Sequence, residues 1–395
     1  MAVSAVAGVD SAISSISYSD RQLPEEPSVA DISPERRRVR SQVRRRALAG
    51  RPSLGRQIFC PFGKGDVSSE EFCGKLQAMC RSGQAIPKER DGRLRIVFLV
   101  SPKALGTQAL ALRLMELLAQ RGHECCCCRS GTFHWVEKIQ PDFAISMLPV
   151  FDPPANVPSA QFWPLNISEK NGRFQRALRY DNIFYGTANI RKLQRMAARD
   201  GRKIRGLPLT ISCKKTEFYG GPKERLVYYF PLWGARRKEY LAPLYEKLDS
   251  TGYFEVYGVA PKLKSCRGVV KDPNELLRLT KEGGVSLILH GADHLRNGTL
   301  SSRIFEAAAA STVVICDRHP FVVKHFGDSV LYIDQNGSPD ELFRQIDGHM
   351  QWIRSHPREA VELARRSHAI FIEKFPLERE VEKIETFIRE VLGKS

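Results

Sequence analysis

The chain has 395 residues, 42% of them hydrophobic and 27% charged, with a mean hydropathy of −0.31. That is enough apolar mass for two cores of ordinary size, and no apolar run approaches the roughly 20 residues of a membrane-spanning helix. The net charge of +17 excludes little by itself, because nine arginines and no acid fall between Arg36 and Arg56, about half of the excess.

In chain order, residues 1–92 are rich in Ser, Pro, Arg and Gly and are expected to form a mostly disordered, Arg-rich extension with one short helix at Ser68–Cys80. Met1–Asp20 has no basic segment ahead of an apolar one, so a cytoplasmic chain is expected. The Arg36–Arg56 run reads as a solvated arm, as a contact for an anionic membrane surface, or less readily as a nucleic-acid contact, since no aromatic residue is interleaved to stack on bases. Order should begin at Arg93–Ser101, whose continuous apolar centre suits a strand buried on both faces. Leu110, Leu114, Leu117 and Leu118 then mark a helical face, and Glu124–Cys128 a second strand, giving a βαβ opening. Asp142–Pro149 and the stretch from Asn182 read as further strands.

A second start follows the turn-rich Thr216–Arg225. From Leu226 onward strands and helices alternate strictly, through strands at Leu226–Gly234, Tyr253–Ala260, Val285–His290, Thr312–Asp317 and Ser329–Asp334, before three closing helices that begin near Pro339, Pro357 and Pro376. The expected fold is therefore α/β, two Rossmann-like domains facing across a cleft. Residues 93–220 form the first domain, 221–375 the second, and 376–395 a terminal helix.

Ten cysteines with four in one block, Cys125–Cys128, read as reduced thiols packing in a strand rather than as a disulfide framework or a metal site. Several chemistries lack their motif. There is no G-x-G-x-x-G after either opening strand, no P-loop, no G-x-S-x-G, no H-E-x-x-H and no Asp-x-Asp pair to hold a metal-bound diphosphate. No metal and no cofactor is expected.

Ligands of such sheets bind outside the carboxyl ends of the strands. Gly234 there opens a small-residue turn into a helix that carries Arg237 and Lys238, which suits either a diphosphate cradle or a solvated basic helix start. After His290 a long loop re-enters a helix at Ser301 or Ser302, both suitable caps, with Arg303 and Glu306 in the first turn and a half. A capping box would put Glu three residues after its Ser, but the residue three before Glu306 is Arg303. Glu306 is thus either a dipole-stabilised surface carboxylate or an acceptor for two ribose hydroxyls. No general base stands out, His134 and Asp152 being candidates by residue type only.

The run Ser301–Asp334 followed by Ser338–Ile346 resembles the C-terminal half of group 1 GT-B glycosyltransferases, particularly the branch with the CgeB-type spore-maturation proteins. The matching features are Arg303-Ile304-Phe305-Glu306, a small-residue helix, an apolar strand ending in Asp317, a short helix ending in Gly327 and an acidic helix start. The resemblance is good over Leu226–Phe375 and architectural over Arg93–Leu207. It implies transfer of a sugar from a nucleotide-diphosphate donor to a glycan, lipid-linked or protein acceptor, with Glu306 on the donor ribose, Arg237 and Lys238 near its phosphates, and His290, Ser302 and Arg303 in the same wall. The chain departs from the pattern at Gly298, where the family often has a first Glu, and at Ser311, where it has Gly. The alternative is a degenerate module that binds a partner or a polyanion without catalysis.

Overall fold

The computed structural model describes residues 58–59, 92–101, 105–129, 136, 139–163, 172–186, 190–230, 235–260, 262–270, 272–291, 294–295 and 298–393. The arginine run of 36–56, the short helix at 68–80, His134 and Gly234 lie outside them.

The first sheet contains strands β1 (Ile58–Phe59), β2 (Arg95–Val100), β3 (Glu124–Arg129), β4 (Phe143–Ser146), β5 (Ser159–Trp163), β6 (Asn182–Tyr185) and β7 (Arg205–Pro208), in the order β1-β3-β2-β4-β5-β6-β7. All neighbours run parallel except β1, which pairs antiparallel to β3. Ile58 and Phe59 belong to the stretch expected to be disordered, so the ordered sheet draws one edge strand from it. Helix α1 (Leu105–Gln120) crosses from β2 to β3, while α2 (Gly172–Ala177) and α3 (Arg191–Arg199) flank β6. The cysteine block is the buried strand β3; Cys125, Cys126, Cys127 and Cys128 are at most 2% exposed and unbridged, small hydrophobes between the helical layers.

The second sheet contains β8 (Arg225–Phe230), β9 (Phe254–Gly258), β10 (Gly284–Ile288), β11 (Val313–Asp317) and β12 (Leu331–Ile333), all parallel, in the order β12-β11-β10-β8-β9. Around it pack α4 (Ala235–Asp249), α5 (Pro273–Gly283), α6 (Arg303–Ala309), α7 (Pro320–Phe326), α8 (Pro339–Ser355) and α9 (Pro357–Lys374). Asp272 caps α5, and Ser338 with Glu341 forms a full capping box at α8, so these starts are fixed by local sequence. Ala307, Ala308 and Ala309 are buried with Phe371 and Phe375, where only methyl groups let α6 lie close on the sheet and on α9.

Helix α10 (Leu377–Val391) returns to the first sheet. Its Leu377, Val381, Ile384, Phe387 and Ile388 complete the core formed by β2, β3, β4 and α1. Glu385 accepts from Arg121 at 2.6 Å, and the Thr210 amide donates to Glu380 at 3.0 Å. The chain thus passes between the two sheets twice, at 209–224 and at 375–377. Two parallel α/β sheets joined in this way form the GT-B fold.

Candidate functional site

The strand order reverses at β2 in the first sheet and at β8 in the second: β8 has β9 on one side and β10 on the other, so a crevice opens outside the carboxyl ends of β8 and β10. Arg303 and Glu306, on the helix that follows β10, stand over that crevice. Both also line a small cavity of about 20 Å³ beneath α6, closed by Val227 and Ser286 of the sheet and by Leu276 and Thr280 of α5. The Arg303 guanidinium donates to the Tyr229 carbonyl at 2.9 Å and to the Ser301 hydroxyl at 3.0 Å, and lies over the Tyr228 ring. These contacts fix the helix start to the end of β8. Ser302 occupies the cap position in helical conformation, and its hydroxyl makes no cap bond. The Ser301 hydroxyl instead accepts from the Arg303 amide at 3.4 Å.

Glu306 is held from the other domain. Arg113, on α1, donates from Nη1 to Oε1 of Glu306 at 3.0 Å, and the two side chains are 7% and 15% exposed. Burial opposes the Arg113 charge, but nearby Cys213 and Glu306 outweigh it, so the guanidinium stays protonated beyond its ordinary range. Burial, and then the Glu306 charge, raise the Tyr229 phenol; burial pushes the Cys213 thiol up to about 12. Among the described residues Oε2 of Glu306 makes no hydrogen bond. Arg113 escaped the sequence reading, although its signal is visible there: it is one charge on the Leu110, Leu114, Leu117 stripe of an otherwise apolar helix face.

His290 is wholly enclosed. Its Nδ1 meets Oδ1 of Asp317 at 2.7 Å, its amide donates to Oδ2 at 2.5 Å, and its Nε2 accepts from the Ser301 amide at 3.2 Å. That last bond puts the ring proton on Nδ1, facing Asp317. The imidazole therefore ties the end of β10 to the end of β11 and to the start of α6, supporting the loop. Cys316 completes a buried group with His290 and Asp317 whose ligand-type atoms lie within 4.8 Å of one another. The hydrogen bonds already join these atoms as a structural set. The His319 ring packs on His290 at 4.5 Å between centroids; burial first, and then His290, lower its pKa to about 4.

Arg237 and Lys238 fall in the first turn of α4, which has no acid there. Asp152 is exposed and paired with Arg179 at 2.8 Å. The two departures from the family pattern have a backbone cause. Gly298 has φ +61 and Ser311 φ +56, both in the left-handed region. At 298 a side chain would be strained, and at 311 the usual Gly is replaced by a Ser whose hydroxyl accepts from the Tyr219 amide at 3.0 Å. Between the domains a cavity of about 160 Å³ is lined by Gly186, Leu209 and Thr210 on one side and Leu300, Ser302 and Phe305 on the other.

A family model described as glycosyl transferase-like matches residues 236–386. No curated protein matches the chain in sequence. Among solved structures, a sucrose-phosphate synthase from Thermosynechococcus elongatus is similar at 12% identity and TM-score 0.51, over 77% of this chain and 100% of its own. An Anabaena protein, HepE, solved with UDP and glucose, is similar at 11% identity and TM-score 0.50, over 75% and 100%. A pneumococcal O-GlcNAc transferase solved with UDP and GlcNAc aligns at 14% identity and TM-score 0.45 over 66% of this chain; the chain spans only 59% of that relative's length. The chain has the GT-B fold, and residues 236–386 within it match the glycosyl transferase-like family model.

Proposed function

We propose that the chain transfers a sugar from a nucleoside-diphosphate donor of the UDP or GDP type to a glycan, lipid-linked or protein acceptor, without a metal, as a member of the CgeB-like branch of group 1. The observation that supports this reading is that Glu306 lies one turn after Arg303, which is bonded to the Tyr229 carbonyl at the end of β8, and has one carboxylate oxygen occupied by Arg113. The other oxygen is then oriented to accept from a ribose hydroxyl, a charge-assisted bond in a partly dry site. Arg303, tied to Tyr229 and Ser301, fixes the carboxylate's helix against the strand ends, which is the preorganisation that such a contact needs.

With no Asp-x-Asp pair in the sequence, the diphosphate's charge would fall to the basic first turn of α4, through Gly234, Arg237 and Lys238. His290 supports the loop through its ring, whose two nitrogens are taken by Asp317 and Ser301, rather than by touching the donor. Closure of the two domains around the donor excludes water and favours transfer over hydrolysis.

The test is turnover of a panel of labelled nucleotide sugars by the full chain in excess EDTA. The reading expects sugar release or transfer from one of them that survives the chelator. Turnover that EDTA abolishes would overturn metal independence, and no binding or turnover of any donor would overturn the whole reading.

A further inference from the structure

The charge of the described part of the chain is concentrated in one stretch of the first domain, in which Arg179 and Arg205 are paired with Asp152 and Glu390 from outside it. Residues 172–205 carry ten cations and two acids, a net +8 in 34 residues. Residues 225–375 carry 21 cations and 18 acids, a net +3 in 151 residues. Together with the nine arginines of 36–56, the 172–205 stretch equals the entire net charge of +17, so the rest of the chain is balanced.

Helix α3 shows how the surface is built. Leu193 and Ala197 are buried in the core with Ile190, Ile204 and Trp163, which fixes the inward face. Arg191, Lys192, Arg195 and Arg199 are exposed on the rest of the helix, which has no acid in it. Arg173 and Arg179 of α2 and its following turn, and Lys203 beyond α3, are also exposed. Arg202 stitches the two elements together, donating to the Arg179 carbonyl at 3.2 Å and to Asp181 at 2.6 Å. The surface is thus held rigid by the core beneath it rather than by a partner.

Its chemistry selects among anionic partners. Of the aromatics of this stretch, Phe174, Tyr180 and Phe184 are buried and Tyr185 packs half-buried against the same core, so no fully exposed ring is offered for base stacking. The apolar side of α3 is spent in the core, so the helix has nothing to insert among acyl chains. What remains is a broad array of cations suited to a plane of negative headgroups. We propose that α2 and α3 form a docking surface for an anionic membrane, held by headgroup charge alone. Among the described residues no helix is long and apolar enough to cross a bilayer, so such contact is peripheral. Gly186, which lines the cavity between the domains, precedes α3 by five residues in sequence, so docking there brings the first-domain side of the cleft toward the lipid surface. The inference does not depend on the donor reading, and its test needs no turnover.

The test is co-sedimentation of the full chain with phosphatidylcholine vesicles, with and without about 30 mol% phosphatidylglycerol, at about 0.1 M salt. The expected result is partition onto the anionic vesicles only, falling steeply with salt. Changing Arg191, Lys192, Arg195 and Arg199 to Gln, at exposed positions where Gln keeps the helix, should reduce the partition coefficient by about fivefold per cation removed. A chain with the arginines of 36–56 changed to Gln should keep its preference for anionic vesicles. Wild-type partition by the α3 variant, with unchanged melting, would overturn the proposal. So would tighter binding of the wild type to a single-stranded RNA than to anionic vesicles at the same salt.

Discussion

Arg113 and Glu306 are 193 residues apart in sequence and 3.0 Å apart in space, and their ion pair joins the first crossover helix of one domain to the helix after β10 of the other. A largely buried pair of this kind adds little to stability as a pair, but loss of one partner strands the other charge. Arg113→Met should therefore destabilise the protein by about 3 kcal/mol in urea unfolding, and Glu306→Gln by less, since the amide oxygen still accepts. The double variant should recover about 1–3 kcal/mol of the summed loss. Additive losses would mean that the pair is not formed.

Ser311 tests the backbone explanation of the departure from the family. It combines left-handed φ with a hydroxyl that accepts from Tyr219. Ser311→Gly relieves the strain and loses the bond, two effects of about 1 kcal/mol each, so its melting temperature should stay near that of the wild type. Ser311→Ala leaves the same amide unpaired but keeps the strain, and so should cost about 1–3 kcal/mol with no relief to offset it. Equal melting of the two variants would contradict this account.

His319 predicts an acid limit. Its Nδ1 accepts from the Phe321 amide and so caps α7, a role that needs the neutral ring. Its folded pKa is lowered from 6.5 to about 4, so between those values the unfolded chain binds a proton that the folded chain does not. Stability therefore rises with pH across this window and falls on acidification from 6.5 to about 4, by about 3 kcal/mol in total. His319→Asn, which can still cap, should flatten the slope in that window when unfolding is followed at stepped pH. An unchanged slope would remove the assignment.

The cysteines predict a labelling order. Burial pushes Cys125, and a hydrogen bond with Cys128 followed by burial pushes Cys126, well above the ordinary thiol range, whereas Cys266 is half-buried. Brief maleimide treatment of the native protein followed by peptide mass spectrometry should label Cys266 ahead of all four residues of Cys125–Cys128. Early labelling in the block would show that β3 is not a packed strand.

The second sheet was legible because its strands are largely apolar runs and α5, α7 and α8 open on the local caps Asp272, His319 and Ser338. Much of the first sheet was not. Strand β5 buries Gln161, whose amide donates to the Ser146 and Phe162 carbonyls, and β7 is only Arg-Gly-Leu-Pro, so neither shows a strand period. Helix α3 is masked by its cations, with only Leu193 and Ala197 buried. At the site, Arg303 and Glu306 could be singled out because charges interrupt an apolar run. The partner of Glu306 could not, since only the fold brings Arg113 to it. Of the two serines suited to cap α6, Ser301 accepts from the Arg303 amide and Ser302 makes no cap bond, the helix start being set by the bonds of Ser301, Arg303 and His290.

The most direct measurement is calorimetric titration of the wild type and Glu306→Ala with UDP, GDP and ADP and with their 2′-deoxy forms. The account predicts that one ribonucleotide binds the wild type and that its 2′-deoxy form binds at least about tenfold more weakly, the worth of a charge-assisted hydrogen bond. Glu306→Ala should bind both forms with the same reduced affinity. No binding of any nucleoside diphosphate, or a variant that binds as the wild type does and still discriminates the sugar, would contradict it.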